Sequence, residues 1–414
     1  MNLQFTDLPV RVPEILLPNP ATDLTKWAVV ACDQFTSQKG YWEKCEEIVG
    51  SAPSALRLIY PEVYLGDQDE ERIASVRAHA ENYLRGGVFR APEKEFVLVE
   101  RSTPFNQRRL GIVASIDLES YSFEKGAKPL VRATEATIAE RIPPRVKIRE
   151  GNPIELPHVL LLVDDEKRTV IEPLFAAKKD KDLLYDFDLM QGGGHIRGWR
   201  VPKAAESAVF SALGALLNPA RLSARYGEES PFLFAVGDGN HSLATAKTCW
   251  ERLKPTLSFE EQKSHPARFA LVEIENVYDD GLKFEPIYRL VTGVDAETFL
   301  KPLKKEDESP YFAVSQGKKY GFCKRNDLAT AIRTADEFIA SRMKECGGKV
   351  DYVHGENDVL SLAEKTGGIA FLFPPMQKQE LFPGVAKHGS LPKKTFSMGE
   401  AVEKRYYLEA KAIR

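Results

Sequence analysis

Short apolar runs alternate along this chain with longer stretches in which apolar residues recur every three or four positions. Such a pattern predicts interleaved strands and helices. Trp27 to Cys32 reads as a buried strand, followed by a polar turn and a short helix over Tyr41 to Val49. Asp67 to Leu84 predicts a longer helix, with Ile73, Val76, Ala80, Tyr83 and Leu84 on one face and Gly86-Gly87 ending it. Glu95 to Glu100 and Leu110 to Leu118 predict neighbouring strands. Leu130 to Glu140 reads as a helical segment with Pro143-Pro144 interrupting it. His158 to Val163 and Thr169 to Leu174, separated by Asp164-Asp165-Glu166-Lys167, suggest a hairpin-like pair.

A helix over Lys203 to Leu217 precedes a strand at Phe232 to Val236 and a helix from Leu243 to Leu253. Strands then follow at Phe269 to Ile274 and Phe284 to Val291. Ala329 to Met343 is a clear helix, with Ile332, Ala335, Phe338, Ile339 and Met343 on one face. Asp351 to Val353 and Gly368 to Phe373 are further strands before a Pro- and Lys-rich C-terminal region. Adjacent strands are too many for a plain doubly wound sheet. The expected fold class is α/β of the mixed α+β kind, with mixed sheets and interspersed helices. The chain reads as one large unit over 1–414, and a subdivision near 200–230 stays open, unmarked by composition.

The 414 residues, 43% hydrophobic and 28% charged, have the make-up of a soluble globular protein. A net charge of -3 gives no electrostatic reason to expect nucleic acid as a partner. No apolar run reaches the length of a membrane span, and no signal-peptide pattern is present. Five cysteines, with no CxxC pair, fit reduced thiols and a cytoplasmic location. Only Cys32 is set apart from small buried hydrophobes, because Asp33 and Gln34 follow it at a strand end.

The richest chemistry lies where the strand ending at Val236 passes through Gly237-Asp238-Gly239-Asn240-His241-Ser242 into a helix. Amides at a helix start lack intrahelical partners and carry partial positive charge, so the junction is a natural anion seat. Glycines at 237 and 239 let the backbone approach a ligand. Asp238, His241 and Ser242 add a carboxylate, an imidazole and a hydroxyl. The same residues also make an ordinary turn and N-cap, a reading that leaves only His241 unexplained. Phosphate-binding P-loops, dinucleotide fingerprints, HExxH and GxSxG are all absent from the sequence. Gly192-Gly193-Gly194-His195, with Arg197, could wrap an anion or simply turn the chain.

Other candidates are dispersed. Arg132 and Glu135, three apart, would share a helix face as an anion holder and a base, or as a solvated ion pair. Asp33, at the end of a buried strand, could ligate Mg²⁺ or accept a proton, and is equally a turn carboxylate. Arg289 lies in a strand-like run, where a charge needs a partner or ligand. Lys393 and Lys394 stand after Pro392 as two presented cations or a solvated basic turn.

The strand–DGNH–helix element resembles the DGHHR-type signature of the domain-of-unknown-function 1015 family. Trp27-Ala-Val-Val-Ala-Cys-Asp33-Gln34-Phe35, Val131-Arg132-Ala133-Thr134-Glu135, Asp280-Gly281-Leu282, Pro286-Ile287-Tyr288-Arg289 and Leu391-Pro392-Lys393-Lys394-Thr395-Phe396 support the resemblance along the chain. The signature is also similar to the nucleotide-phosphate box of ParB/sulfiredoxin-like proteins, free serine kinases among them, and implies a core of that kind. Asn240 stands where a first histidine is usual, and Ser242 replaces the arginine. That loss removes a bidentate phosphate contact, to be supplied instead by Lys247, Arg289 or Lys393.

The resemblance implies a small-molecule phosphotransferase using ATP or ADP with Mg²⁺, acting on serine or a similar hydroxyl compound. Asp238 and Asp33 would hold the metal, and Glu135 or Asp33 would orient the acceptor. His241 would donate to a phosphate oxygen. Gly237, Gly239, Asn240, Ser242, Arg132, Arg289, Lys393 and Lys394 would hold the nucleotide. A phosphoester hydrolase of the phosphoserine phosphatase type and a non-catalytic ligand sensor are the alternative readings. The oligomeric state is not legible.

Overall fold

A computed structural model describes residues 8–124, 126–227, 230–305, 309–323 and 327–414. The chain divides into two units, one of Met1–Leu282 with Glu400–Arg414 and one of Lys283–Gly399. Residues 200–230 lie within the first unit. No helix among the described residues is long and apolar enough to cross a membrane. Mixed sheets with interspersed helices make this the α/β fold that the patterning predicts.

The first unit is built on a ten-stranded sheet. Its strands are β1 (Val10–Arg11), β2 (Val97–Ser102), β3 (Arg109–Asp117), β4 (Tyr121–Ser122), β5 (Val131–Ala133), β6 (Leu160–Val163), β7 (Leu183–Leu189), β8 (Gly194–Arg200), β9 (Phe234–Asp238) and β10 (Phe269–Asn276). The spatial order is β7-β8-β2-β3-β10-β6-β9-β5-β4, with β1 on β3. Helices α1 (Lys39–Val49), α2 (Asp69–Arg85), α3 (Ile142–Arg149), α4 (Lys203–Leu216), α5 (Pro219–Tyr226) and α6 (Asn240–Leu253) belong to the same unit. β9 runs antiparallel to β6, with Asp238 opposite Leu160, and parallel to β5, with Val236 opposite Ala133. The end of β9, the chain after β5 and the chain before β6 therefore emerge together at one edge of the sheet.

Two expected elements differ. Leu130 to Glu140 is not an α-helix: Val131–Ala133 is strand β5, only Ala139–Arg141 makes a 3-10 turn, and the α-helix begins at Ile142 with Pro143-Pro144 in its first turn. Proline is tolerated there because the first-turn amides have no intrahelical partner to lose. Arg132 and Glu135 consequently share no helix face. Nor do His158 to Val163 and Thr169 to Leu174 form a hairpin. β6 pairs with β9 and β10, while Glu172–Ala177 is helical. The Asp165 carboxylate accepts the Thr169 and Val170 N–H groups and turns the chain out of the sheet.

Strands β3 and β10 share a buried ionic cluster with the C-terminal segment. Arg405, 2% exposed, pairs with Glu273 and with Glu409. Arg109 Nε lies 2.9 Å from Glu275 Oε1. Gly111 belongs to this packing, since a Cβ there would run into the Glu273 carboxylate. Burial pushes the Glu275 carboxyl up to about 8 against the pull of Arg109, with Glu273 and Asp279 raising it further. A raised carboxyl binds its proton more tightly in the folded than in the unfolded chain. Its contribution to stability is complete below the ordinary value of 4.5 and is lost as pH rises towards about 8. Urea unfolding at pH 5 and pH 8 should show this decline, and Glu275→Gln should flatten it. An equally steep decline in the variant would place the cause elsewhere.

The second unit carries a seven-stranded sheet of β11 (Phe284–Thr292), β12 (Lys304–Lys305), β13 (Tyr311–Ser315), β14 (Lys318–Cys323), β15 (Lys349–His354), β16 (Ile369–Leu372) and β17 (Phe396–Met398). The order is β12-β14-β13-β16-β11-β15, with β17 on β11. Helix α7 (Leu328–Cys346) starts on an Asp327 cap, whose carboxylate accepts the Thr330 N–H at 2.9 Å.

Candidate functional site

The junction between β9 and α6 requires glycine at 239. Its φ is +79°, and a Cβ there would stand 3.0 Å from Val159 Cα and 3.3 Å from the His158 carbonyl oxygen. Helix α6 begins at Asn240, three residues before the expected start at Leu243, so Asn240, His241 and Ser242 form its first turn. Its N-cap is Gly239, which has no side chain to bond the first-turn amides. The positive end of its macrodipole therefore lies at the end of β9 where the chain after β5 and the chain before β6 also emerge.

Around this turn the Asp238 carboxylate accepts the Gly239 N–H at 2.9 Å and pairs with Lys404 at 3.2 Å. Burial would raise its pKa, but the Lys404 ammonium and the Gly239 N–H hold it below the ordinary carboxylate range. Asn240 Nδ2 is 3.5 Å from Thr134 Oγ1, and its Oδ1 is buried without a hydrogen-bond partner. His241 Nε2 accepts the Ile138 N–H at 3.3 Å. That bond assigns the lone pair to Nε2 and the ring proton to Nδ1.

Ser242 and Thr245 form one wall of a cleft of about 130 Å³, facing Cys32, Glu62, Arg145 and His158. Tyr407 completes it, brought in by the pairing of Tyr406–Tyr407 with Val29–Val30. The Tyr407 hydroxyl accepts the Cys32 N–H at 3.1 Å and lies 3.1 Å from Cys32 Sγ and 2.6 Å from His158 Nδ1. Glu62 pairs with Arg145. Burial and the nearby Asp33 raise the Glu62 carboxyl, while Arg145 pulls it down.

Burial, reinforced by Asp33, pushes the Cys32 thiol up to about 12, with the Tyr407 hydrogen bond opposing. The thiolate is the nucleophile, so Cys32 is expected to be inert at neutral pH. Ellman's reagent at pH 8 should modify Cys32 far more slowly than a free thiol, as followed by peptide mapping. Prompt labelling of Cys32 would contradict that environment.

The remaining candidates are scattered over both units. Asp33, half-buried, accepts from Gln34 Nε2 at 3.0 Å, and Gly237 lies within β9. Arg132 is buried in β5, where it donates to the Pro129 carbonyl and Ser230 Oγ, both at 3.1 Å, and packs over Phe232. Glu135 follows β5, half-buried. Arg289, Lys393 and Lys394 belong to the second unit. Arg289 is fully buried there and spends its donors on Asp336 and on the Ile287, Lys393 and Lys394 carbonyls. Five such bonds use all five guanidinium N–H groups. Lys393 itself lies over the Tyr352 ring, 5.3 Å from its centroid.

The Gly192-Gly193-Gly194 run turns the β7–β8 hairpin. His195 stands between Asp188 and Asp186, 2.6 Å from each, so the wrapped-anion reading gives way to the turn. Among the described residues no group of three or more His, Cys, Asp and Glu forms a metal-holding cluster.

Sequence reasoning missed His158, Tyr407, Glu62, Arg145 and Lys404. The one available signal was His158, a polar ring opening a predicted strand. The others meet only through long-range pairing that no local pattern reports.

A search of curated proteins finds no match to the chain. Among solved structures, a conserved hypothetical protein from Pyrococcus furiosus shares 11% identity and a TM-score of 0.36, covering 73% of this chain and 95% of its own. A free serine kinase in complex with AMP shares 11% identity and a TM-score of 0.39, over 72% and 90%. SbnI with a C-terminal truncation, from Staphylococcus aureus, shares 10% identity and a TM-score of 0.35, over 69% and 82%. At such identities and TM-scores these likenesses carry no chemistry over to this chain. The model of a protein family of unknown function, DUF1015, matches residues 16–360, and the chain belongs to that family.

Proposed function

We propose that this protein is a small-molecule phosphotransferase, using ATP or ADP and a hydroxyl acceptor such as serine. The observation that carries the reading is the start of α6, set by Gly239 beside a cleft that contains Arg145, His158 and Ser242. Phosphoryl transfer asks for an anion seat, cationic neutralisation and an oriented hydroxyl more than for covalent chemistry.

In this reading the first-turn amides of α6 and the Ser242 hydroxyl receive the transferred phosphate, and Arg145 balances its charge. Asp33, whose charge acts on Cys32, Glu62 and Tyr407 of the cleft, orients the acceptor and takes its proton. Glu135 is the other candidate base. The acceptor oxygen forms its bond to phosphorus as the bond to the nucleotide breaks. Bound Mg²⁺ would neutralise phosphate charge. Two carboxylates, Asp33 and Asp238, suit an ion that keeps waters and phosphate oxygens as its other ligands.

Thermal denaturation with ATP, ADP and AMP, each with and without Mg²⁺, tests the proposal. A nucleotide that binds only the folded chain raises its melting temperature. Stabilisation enlarged by serine, with phosphoserine formed, is the expected result; no shift with any nucleotide would overturn it. The cleft's 130 Å³ favours one alternative, because it is smaller than the roughly 300–1,000 Å³ that encloses larger ligands. A phosphoester hydrolase would need only a phosphate-sized seat. It would release phosphate from phosphoserine without nucleotide.

A further inference from the structure

A cavity of about 750 Å³ in the first unit lies apart from this cleft. It is bounded by the segment from Arg11 to Leu16, the loop from Phe89 to Lys94, residues 263–269 and the C-terminal residues 411–414. Its walls are apolar at Leu16, Phe89, Pro92 and Phe269. Its charges are one-sided: Arg11, Arg90, Lys94, Lys263, Lys411 and Arg414 stand against one side-chain carboxylate, Glu14.

Internal pairing leaves two kinds of unused capacity. Arg90 pairs with Glu95 at 3.1 Å, and Lys263 with Glu260 at 2.7 Å. Lys411 donates to the Pro266 carbonyl at 2.7 Å and lies 3.7 Å from Glu155. Lys94 forms no ion pair among the described residues, although Glu14 is its register partner across the strands. Two buried polar atoms of lining residues also have no hydrogen-bond partner, Ser115 Oγ and Arg90 Nε. Ser115 is only 1% exposed, and a buried orphan of this kind costs about 1–3 kcal/mol unless a ligand or water meets it.

We infer that this cavity binds an organic anion: a carboxylate or phosphate head on an apolar body. The cations and orphan donors take the head, and the apolar walls take the body. A volume of 750 Å³ lies within the ordinary range of small-molecule sites and holds both parts. The inference is independent of the phosphotransferase reading. Glu155 lines the cleft and Lys411 the cavity, so their contact separates the two spaces.

The test is a fluorescence titration of the full chain with anilinonaphthalene sulfonate, followed by competition with decanoate, naphthyl phosphate and decanol. Saturable binding is expected, displaced by an anion and not by decanol. Displacement by decanoate alone identifies an acyl carboxylate, by naphthyl phosphate alone an aryl phosphate, and by both a site that reads only the anionic head. Lys94→Glu and Lys263→Glu, both on the surface, should each weaken binding about tenfold with melting temperature unchanged. Absence of saturable binding, equal competition by decanol, or full affinity in both variants would overturn the inference.

Discussion

Replacing Arg405 with alanine is expected to lower the unfolding free energy of the first unit by about 3–5 kcal/mol. The side chain is almost wholly buried and holds Glu273 and Glu409, which are themselves buried. Truncation leaves two carboxylates without their cation in a medium that solvates them poorly. Tyr185, at 2.5 Å from Glu409 Oε1, compensates only one of them. Arg405→Lys keeps the charge but not the fork that spans both partners, so it should be intermediate. Arg405→Met combined with Glu273→Gln and Glu409→Gln removes the stranded charges and should recover much of the loss. Urea midpoints across the series measure it. A loss below about 1 kcal/mol for Arg405→Ala would mean that water reaches the cluster.

The second large effect is on activity. On the phosphotransferase reading, Gly239→Ala is expected to reduce phosphoryl transfer about a hundredfold, because small displacements of a positioning element are that costly. The added methyl meets Val159 and the His158 carbonyl, and φ at +79° disfavours any residue with a Cβ by about 1–2 kcal/mol. Relief comes from moving the first turn of α6 away from His158, which is the geometry that the anion seat needs. The stability cost should stay near that strain term, since the core beneath Phe234 to Val236 is untouched. Full activity in a destabilised Gly239→Ala protein would separate the helix start from catalysis.

Much of the architecture was legible because burial writes itself into periodicity. The helices at Asp69–Arg85 and Leu328–Cys346 and the strands at Phe269–Asn276 and Phe284–Thr292 sit where apolar spacing predicts. Where the reading failed, a local signal was outweighed. Leu130 to Glu140 has helix-like spacing, yet Val131–Ala133 gains more by pairing with β9. Pro143-Pro144 looked like a break and proved to be a helix start. The glycine–carboxylate–imidazole hinge was legible, down to the glycine that the turn demands. Its surroundings were not, because Tyr407 reaches Cys32 and His158 across intervals of 375 and 249 residues. Arg289 was read as a charge in need of a partner or a ligand and assigned to the nucleotide; in the structure Asp336 and three backbone carbonyls take its donors.

The phosphotransferase reading requires that the start of α6 receive a phosphate. Amide spectra of the isotopically labelled protein, recorded during titration with ADP and Mg²⁺, observe it directly. The prediction is that the Gly239, Asn240 and Ser242 amides move downfield together and saturate with one affinity, and that Gly239→Ala weakens that affinity. If ADP binds while these amides stay still, the nucleotide sits elsewhere and the phosphotransferase reading of this junction is wrong.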